Sequence, residues 1–227
     1  MKKLKILSLL LFSTLIVSAC TKNEDFSNAD IEINTSGIEF IEGVHYEKVN
    51  YNKYASDEYQ IEKYFWIGCE HCQNMEKLIS AYESESENIK IKRIHAPLSE
   101  RWILDSRIYY ALIKKEKEEL YPAMIKFYED YRLNNSGLPN ISDLEDFLSL
   151  NGINTKDFFK IADSMEVTDE IISVRESMVE NKITSVPTII INGKYKVSQN
   201  LPVNIQSQDD YNELLNYLIN KKEKNEE

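Results

Sequence analysis

Two cysteines separated by two residues, Cys69-Glu70-His71-Cys72, are the part of this 227-residue sequence best equipped for chemistry. A thiolate is both a nucleophile and a soft-metal ligand, and a second thiol three positions on can form a disulfide with the first. The preceding Phe65-Trp66-Ile67-Gly68 reads as the end of a strand, which puts Cys69 in the first turn of a helix. Unpaired backbone N–H groups and the positive end of the macrodipole favour an anion there. Cys69 is therefore the expected nucleophile. Cys72 lies one turn on along the same face, within reach of the first sulfur and deeper, which makes it the expected resolving thiol. His71 can give Cys69 a hydrogen bond or a positive charge, lowering its pKa and stabilising the reduced form, so that the oxidised pair becomes a stronger oxidant. Glu70 works in two directions, because a helix start welcomes an acid while a thiolate repels one.

Other uses of the pair fit less well. A structural zinc site wants four ligands, and the chain has three cysteines and the histidines His45, His71 and His95. A copper carrier would more often gather Met or His around the thiols, where only Met75 is near. A bridge across two residues closes a very small loop and stabilises a fold little, so the pair is better explained by reactivity. No cofactor is expected. His95, at the end of a strand aimed toward the cysteines, is read as a satisfied structural histidine, with a role beside Cys69 as the alternative. His45 is read as a surface residue.

The first residues look like an address. Lys2, Lys3 and Lys5 precede an apolar run from Ile6 to Val17, too short to span a bilayer core of about 30 Å as a helix. Residues 1–19 are thus expected to be a signal peptide. Val17-Ser18-Ala19-Cys20 resembles the bacterial lipobox, which makes Cys20 the expected lipid attachment site and residues 20–36 a flexible tether. Acylation would hold the protein at a membrane without spanning it. It would also leave Cys69 and Cys72 as each other's partners in a compartment where disulfides persist. With 38 acids against 27 Lys and Arg the net charge is −11, which disfavours nucleic acid as a partner.

The elements that would position the pair follow from periodicity. Strands are expected over Ile38–Tyr51, Glu58–Trp66 and Ile89–Ile94, with a helix from Cys69 to Ser86 between the last two, giving a β-α-β unit. From Arg101 to Lys182 the period is helical, broken at Tyr121-Pro122, at Asn134–Pro139 and at Asn151-Gly152. Ser142 with Glu145 reads as a capping box and Thr155 as another cap. Thr188–Ile191, the turn Asn192-Gly193 and Lys194–Val197 form a hairpin signature, and a last helix is expected from Asp209 to Asn220. One of Phe65 and Trp66 should be core by alternation, and Trp102, Tyr109 and Tyr110 read as packing.

Phe-Trp-Ile-Gly-Cys-x-His-Cys after a strand, Arg93-Ile94-His95, the helical stretch, Val186-Pro187, and Ile191-Asn192-Gly193-Lys194-Tyr195 together resemble the DsbA family of thiol:disulfide oxidoreductases. The likeness runs from about Ile38 to Lys221. It implies an α/β, thioredoxin-like fold over residues 37–222 with a helical insertion at about 99–165, leaving 223–227 as a polar tail. It also implies mixed-disulfide formation at Cys69, resolution at Cys72, tuning by His71, and a cis Pro187 that faces the cysteines and, with Val186, meets the substrate backbone. The implied partners are reduced or unfolded exported proteins and a quinone-linked membrane reoxidase. The implied activity is disulfide formation, with reduction or isomerisation on the same scaffold, or a non-enzymatic metal- or peptide-binding lipoprotein, as alternatives. One departure stands out: the family usually has Pro where this chain has Glu70.

Overall fold

The computed structural model describes residues 37–49, 58–86 and 88–221. The expected signal peptide, Cys20, the tether to residue 36 and the polar tail lie outside the described residues. The order is β1 (Tyr46–Lys48), β2 (Ile61–Phe65), α1 (Glu70–Glu85), β3 (Ile91–His95), α2 (Glu100–Lys114), α3 (Tyr121–Asn135), α4 (Ile141–Leu150), α5 (Thr155–Ala162), α6 (Met165–Glu180), β4 (Thr188–Ile191), β5 (Tyr195–Val197) and α7 (Gln208–Asn220). This is the α/β, thioredoxin-like architecture with inserted helices.

The sheet runs β1-β5-β4-β2-β3. β2 and β3 are parallel and joined through α1, while β4 lies antiparallel to β2 and β5 antiparallel to β4. β2 is an interior strand, between β4 and β3, and is buried at all five positions, so both its faces meet packed layers. On one face Ile61, Ile79, Ile189, Ile191, Tyr211 and Leu214 form the core under α1 and α7. A second cluster, with Tyr64, Phe65, Ile94, Ile108, Tyr109, Met124 and Tyr128, joins the sheet to the helical insertion.

β3 ends the sheet on that side, and its free backbone groups are met by side chains of α2. Tyr109 donates its hydroxyl to the Arg93 carbonyl at 3.0 Å. The Tyr110 hydroxyl accepts from the His95 N–H at 3.0 Å and donates to the His95 carbonyl at 3.1 Å.

Several sequence expectations are corrected. The first strand is three residues, not fourteen, because Gly43 at φ +82 turns the chain between Ile41 and Tyr46. His45 is buried rather than exposed: its Nδ1 accepts from the Ile41 N–H at 3.1 Å, its Nε2 meets Asn204, and its ring packs edge-on to Phe40. The capping box of α4 is Asn140 with Asp143, two residues earlier than Ser142 and Glu145, and α5 is capped by Asn154, with Thr155 its first helical residue. Of the adjacent aromatics, Phe65 is core and Trp66 is half-buried.

Candidate active site

β2 ends at Phe65, and three further residues carry the chain to Cys69, the N-cap of α1. Cys69 therefore caps the helix rather than lying inside its first turn. Its sulfur accepts from the Cys72 N–H at 3.3 Å, the bond that a Ser or Asp makes at such a position. Cys72 is 2% exposed and Cys69 is half-buried, so one sulfur is screened and the other reachable. Glu70 and His71 are both exposed.

The two thiols are electrostatically unequal. The Cys72 thiol hydrogen-bonds to the Cys69 sulfur and holds the Cys69 pKa down to about 6; burial opposes this, and the backbone N–H groups of Cys72 and His71 and the charge of His71 reinforce it. The same thiol–thiol hydrogen bond, with burial, pushes Cys72 well above the ordinary thiol range. At neutral pH one sulfur is an anion and its neighbour a proton donor to it.

The loop between strand and helix is gripped from all sides. The Trp66 carbonyl accepts from the Cys69 N–H at 3.0 Å. The Ile67 N–H donates to His95 Nε2 at 3.2 Å, and the Ile67 carbonyl accepts from Gln73 Nε2 at 2.8 Å. Arg132 on α3 donates to Gln73 Oε1 at 2.6 Å, which fixes the amide. His95 meets Ser106 Oγ through Nδ1 at 2.7 Å, and burial lowers its pKa to about 3. It is thus a neutral imidazole with its proton on Nδ1 and an acceptor turned to the loop, a structural histidine rather than a group at the sulfur.

Beneath Cys72 lies a set of buried charges that sequence reasoning missed. Lys63, fully buried on β2, donates to the Cys72 carbonyl at 3.2 Å and pairs with Glu76 on α1. Glu76 also accepts from Arg93 and Ser80, each at 2.8 Å, and from the Tyr121 hydroxyl at 3.0 Å. Burial would raise the Glu76 pKa, but Lys63 and Arg93 outweigh it and keep the carboxyl ionised and low. Burial pushes Lys63 the other way, below the usual lysine range. The available signal was Glu62-Lys63 inside an otherwise apolar central strand.

Tyr64 of β2 pairs with Thr188 of β4, so Pro187 and Val186 fall beside the end of β2. The Val186–Pro187 bond is cis, and Val186 and Cys69 pack as half-buried groups on the same hydrophobic core. Gln199 holds this loop, donating to the Pro187 carbonyl at 2.9 Å and to Thr188 Oγ1 at 3.2 Å while accepting from Ser185 at 3.0 Å. Among the described residues no three His, Cys, Asp or Glu side chains gather as a metal site would require, and no helix is long and apolar enough to cross a membrane.

Comparison with known proteins agrees with this geometry. The family model described as thioredoxin matches residues 55–215. The thiol:disulfide interchange protein DsbA of Pseudomonas syringae pv. tomato is 29% identical over 138 residues, covering 60% of this chain and 64% of that one. The aligned part thus spans a little under two thirds of that relative. DsbA of Azotobacter vinelandii is 25% identical over 197 residues, covering 86% and 87%. The crystal structure of Pseudomonas aeruginosa DsbA superposes with a TM-score of 0.64 at 20% identity, over 79% of this chain and 93% of that one. A Proteus mirabilis DsbA variant holding a non-covalently bound peptide superposes at 0.63 with 20% identity, over 81% and 100%. The chain belongs to the thioredoxin family, as a DsbA-like member with a helical insertion.

Proposed function

We propose that this protein is a thiol:disulfide oxidoreductase that forms disulfides in reduced exported proteins, with Cys69 as the attacking and attacked sulfur. The observation that carries this reading is the asymmetry of the pair: a reachable thiol held near pKa 6 by a buried partner whose own proton is retained. In the oxidising direction a client thiolate attacks Cys69 in the Cys69–Cys72 disulfide, and Cys72 leaves and takes up a proton. A second client thiolate then attacks the client sulfur of the mixed disulfide and Cys69 leaves as a thiolate. The client loses two electrons and two protons; the pair gains the electrons. A low Cys69 pKa makes it a good leaving group in that second step and stabilises the reduced product.

His71 tunes Cys69 from the exposed first turn of α1, and the Val186-Pro187 edge offers the client backbone a surface next to the sulfur. The peptide bound by the Proteus mirabilis relative supports a peptide-binding face on this fold. The basic and apolar leader with Cys20 supports an extracytoplasmic, lipid-anchored location, and return of electrons to a quinone-linked membrane partner follows from the family resemblance.

The test is a pair of variants. Cys72→Ser keeps the attacking thiol and loses the resolving one, so it should accumulate mixed disulfides with envelope proteins, visible as reducible high-mass bands. Cys69→Ser should accumulate none. Adducts in the second variant but not the first would reverse the roles.

A further inference from the structure

Trp66 is tied to both cysteines and to the helical insertion at once. Its carbonyl accepts from the Cys69 N–H at 3.0 Å, and its own backbone N–H works against the rise that the Cys69 hydrogen bond and burial impose on the Cys72 pKa. Its indole lies across Gly68, where a Cβ would come within 2.5 Å of the ring, so only glycine fits beneath it. The ring stacks on Trp102 of α2 at 4.6 Å and 16°, and Nε1 donates to Asp105 Oδ2 at 2.8 Å. Asp105 is completely buried and is itself held, by Arg101 Nε at 3.0 Å and by the Tyr128 hydroxyl at 2.7 Å. Donors from α2, α3 and the strand-to-helix loop thus converge on one carboxylate that does not touch either sulfur.

We propose that Asp105 is a positioning residue for the redox pair, acting through the Trp66 indole to fix the main chain that holds Cys69 at the head of α1, where its sulfur accepts from the Cys72 N–H. The inference rests on Cys69 and Cys72 being the redox couple. A Cys69 that is no longer held in place loses the N–H hydrogen bonds its sulfur accepts, and these matter most when that sulfur is charged, in the reduced form. Freeing the loop therefore destabilises the reduced form more than the oxidised one, raising the Cys69 pKa and making the pair less oxidising. A purely structural carboxylate would weaken both redox forms alike.

Two substitutions in the full-length chain separate these cases. Trp66→Phe keeps a ring over Gly68 and removes the N–H; Asp105→Asn keeps the shape and removes the charge. In equilibrium with glutathione, either variant should shift the dithiol–disulfide constant toward the oxidised form by about threefold, which is about 14 mV. Alkylation of Cys69 by iodoacetamide at about pH 5.5 should slow by about threefold. The double variant should do no more than the stronger single one, because both act on the same Trp66–Asp105 contact. Unchanged constants with an equal loss of thermal stability in the two redox forms would make Asp105 structural and overturn the proposal. Additive effects would overturn action through Trp66. If Asp105→Asn does not fold, Trp66→Phe alone decides the first point. A parent protein that fails to equilibrate with glutathione would instead refute the redox reading itself.

Discussion

Acid should expose the inequality of the two thiols as a break in the reduction potential. The oxidised pair carries no titrating sulfur; the reduced pair carries one group with a pKa of about 6 and one far above it. Below about pH 6, reduction takes up two protons and the potential falls by about 59 mV per pH unit; above it only Cys72 binds a proton and the slope halves to about 30 mV. From pH 5 to pH 8 the potential should fall by about 120 mV, against about 180 mV for two ordinary thiols. Because the Cys69 pKa is depressed by folding, its contribution to the stability of the reduced form is complete only above the ordinary thiol value, about 9, and is lost progressively as pH falls from there to about 6. The oxidised form has no such contribution. The stability of the reduced form relative to the oxidised form should fall between pH 9 and pH 6 in urea titrations run side by side. Glutathione equilibria at half-unit pH steps would measure the slope. A single slope near 59 mV up to pH 8 would refute a Cys69 thiolate stabilised by Cys72 and the helix start.

The buried charges allow a stability prediction. Lys63→Met should cost about 1–2 kcal/mol in urea unfolding, the loss of two hydrogen bonds, since Glu76 keeps Arg93, Ser80 and Tyr121. Glu76→Leu strands the Lys63 charge in the core and should cost about 3–5 kcal/mol; the reverse order would show that Lys63, not Glu76, is the hub. Glu70→Gln removes an exposed charge beside the thiolate and should raise the reduction potential by no more than about 20 mV, less in high salt; a fall would mean that contact with the helix end dominates. Cys20→Ala should move the protein from membranes to the soluble fraction, and its persistence in washed membranes would leave the lipid anchor without support.

The strand-helix setting of the cysteine pair was legible because it is local: a strand that ends shortly before a glycine, a cysteine where unpaired N–H groups begin, and a second cysteine one turn on. The hairpin was legible for the same reason, since Asn192 at φ +50 and Gly193 at φ +67 supply the left-handed turn that the Lys194 N–H closes on the Ile191 carbonyl. The caps of α4 and α5 were misplaced because Asn140-x-x-Asp143 and Ser142-x-x-Glu145 satisfy the same pattern, and the choice falls to where the chain leaves extended geometry after Pro139. His45 was misread because one of the groups that hold it, Asn204, lies far along the chain. The supports of the active-site loop were illegible for a like reason. Asp105, Arg132, Gln199 and Glu76 are unremarkable helix or loop residues in sequence, and acquire a role only when the insertion and the hairpin close over the end of β2.

A protein that handles unfolded chains risks becoming a template for them, since an exposed strand edge accepts any extended segment as one more strand. The tyrosines of α2 remove that hazard on the β3 side. The single hydroxyl of Tyr110 both accepts from and donates to His95, occupying the donor and the acceptor that an incoming strand would need, while Tyr109 takes the next carbonyl along. At the opposite edge β1 has only three residues, too few to seed a stable ladder. Under the proposed function, a client held at the sulfur would not be recruited into the sheet at these edges, and contact would end when the disulfide is exchanged.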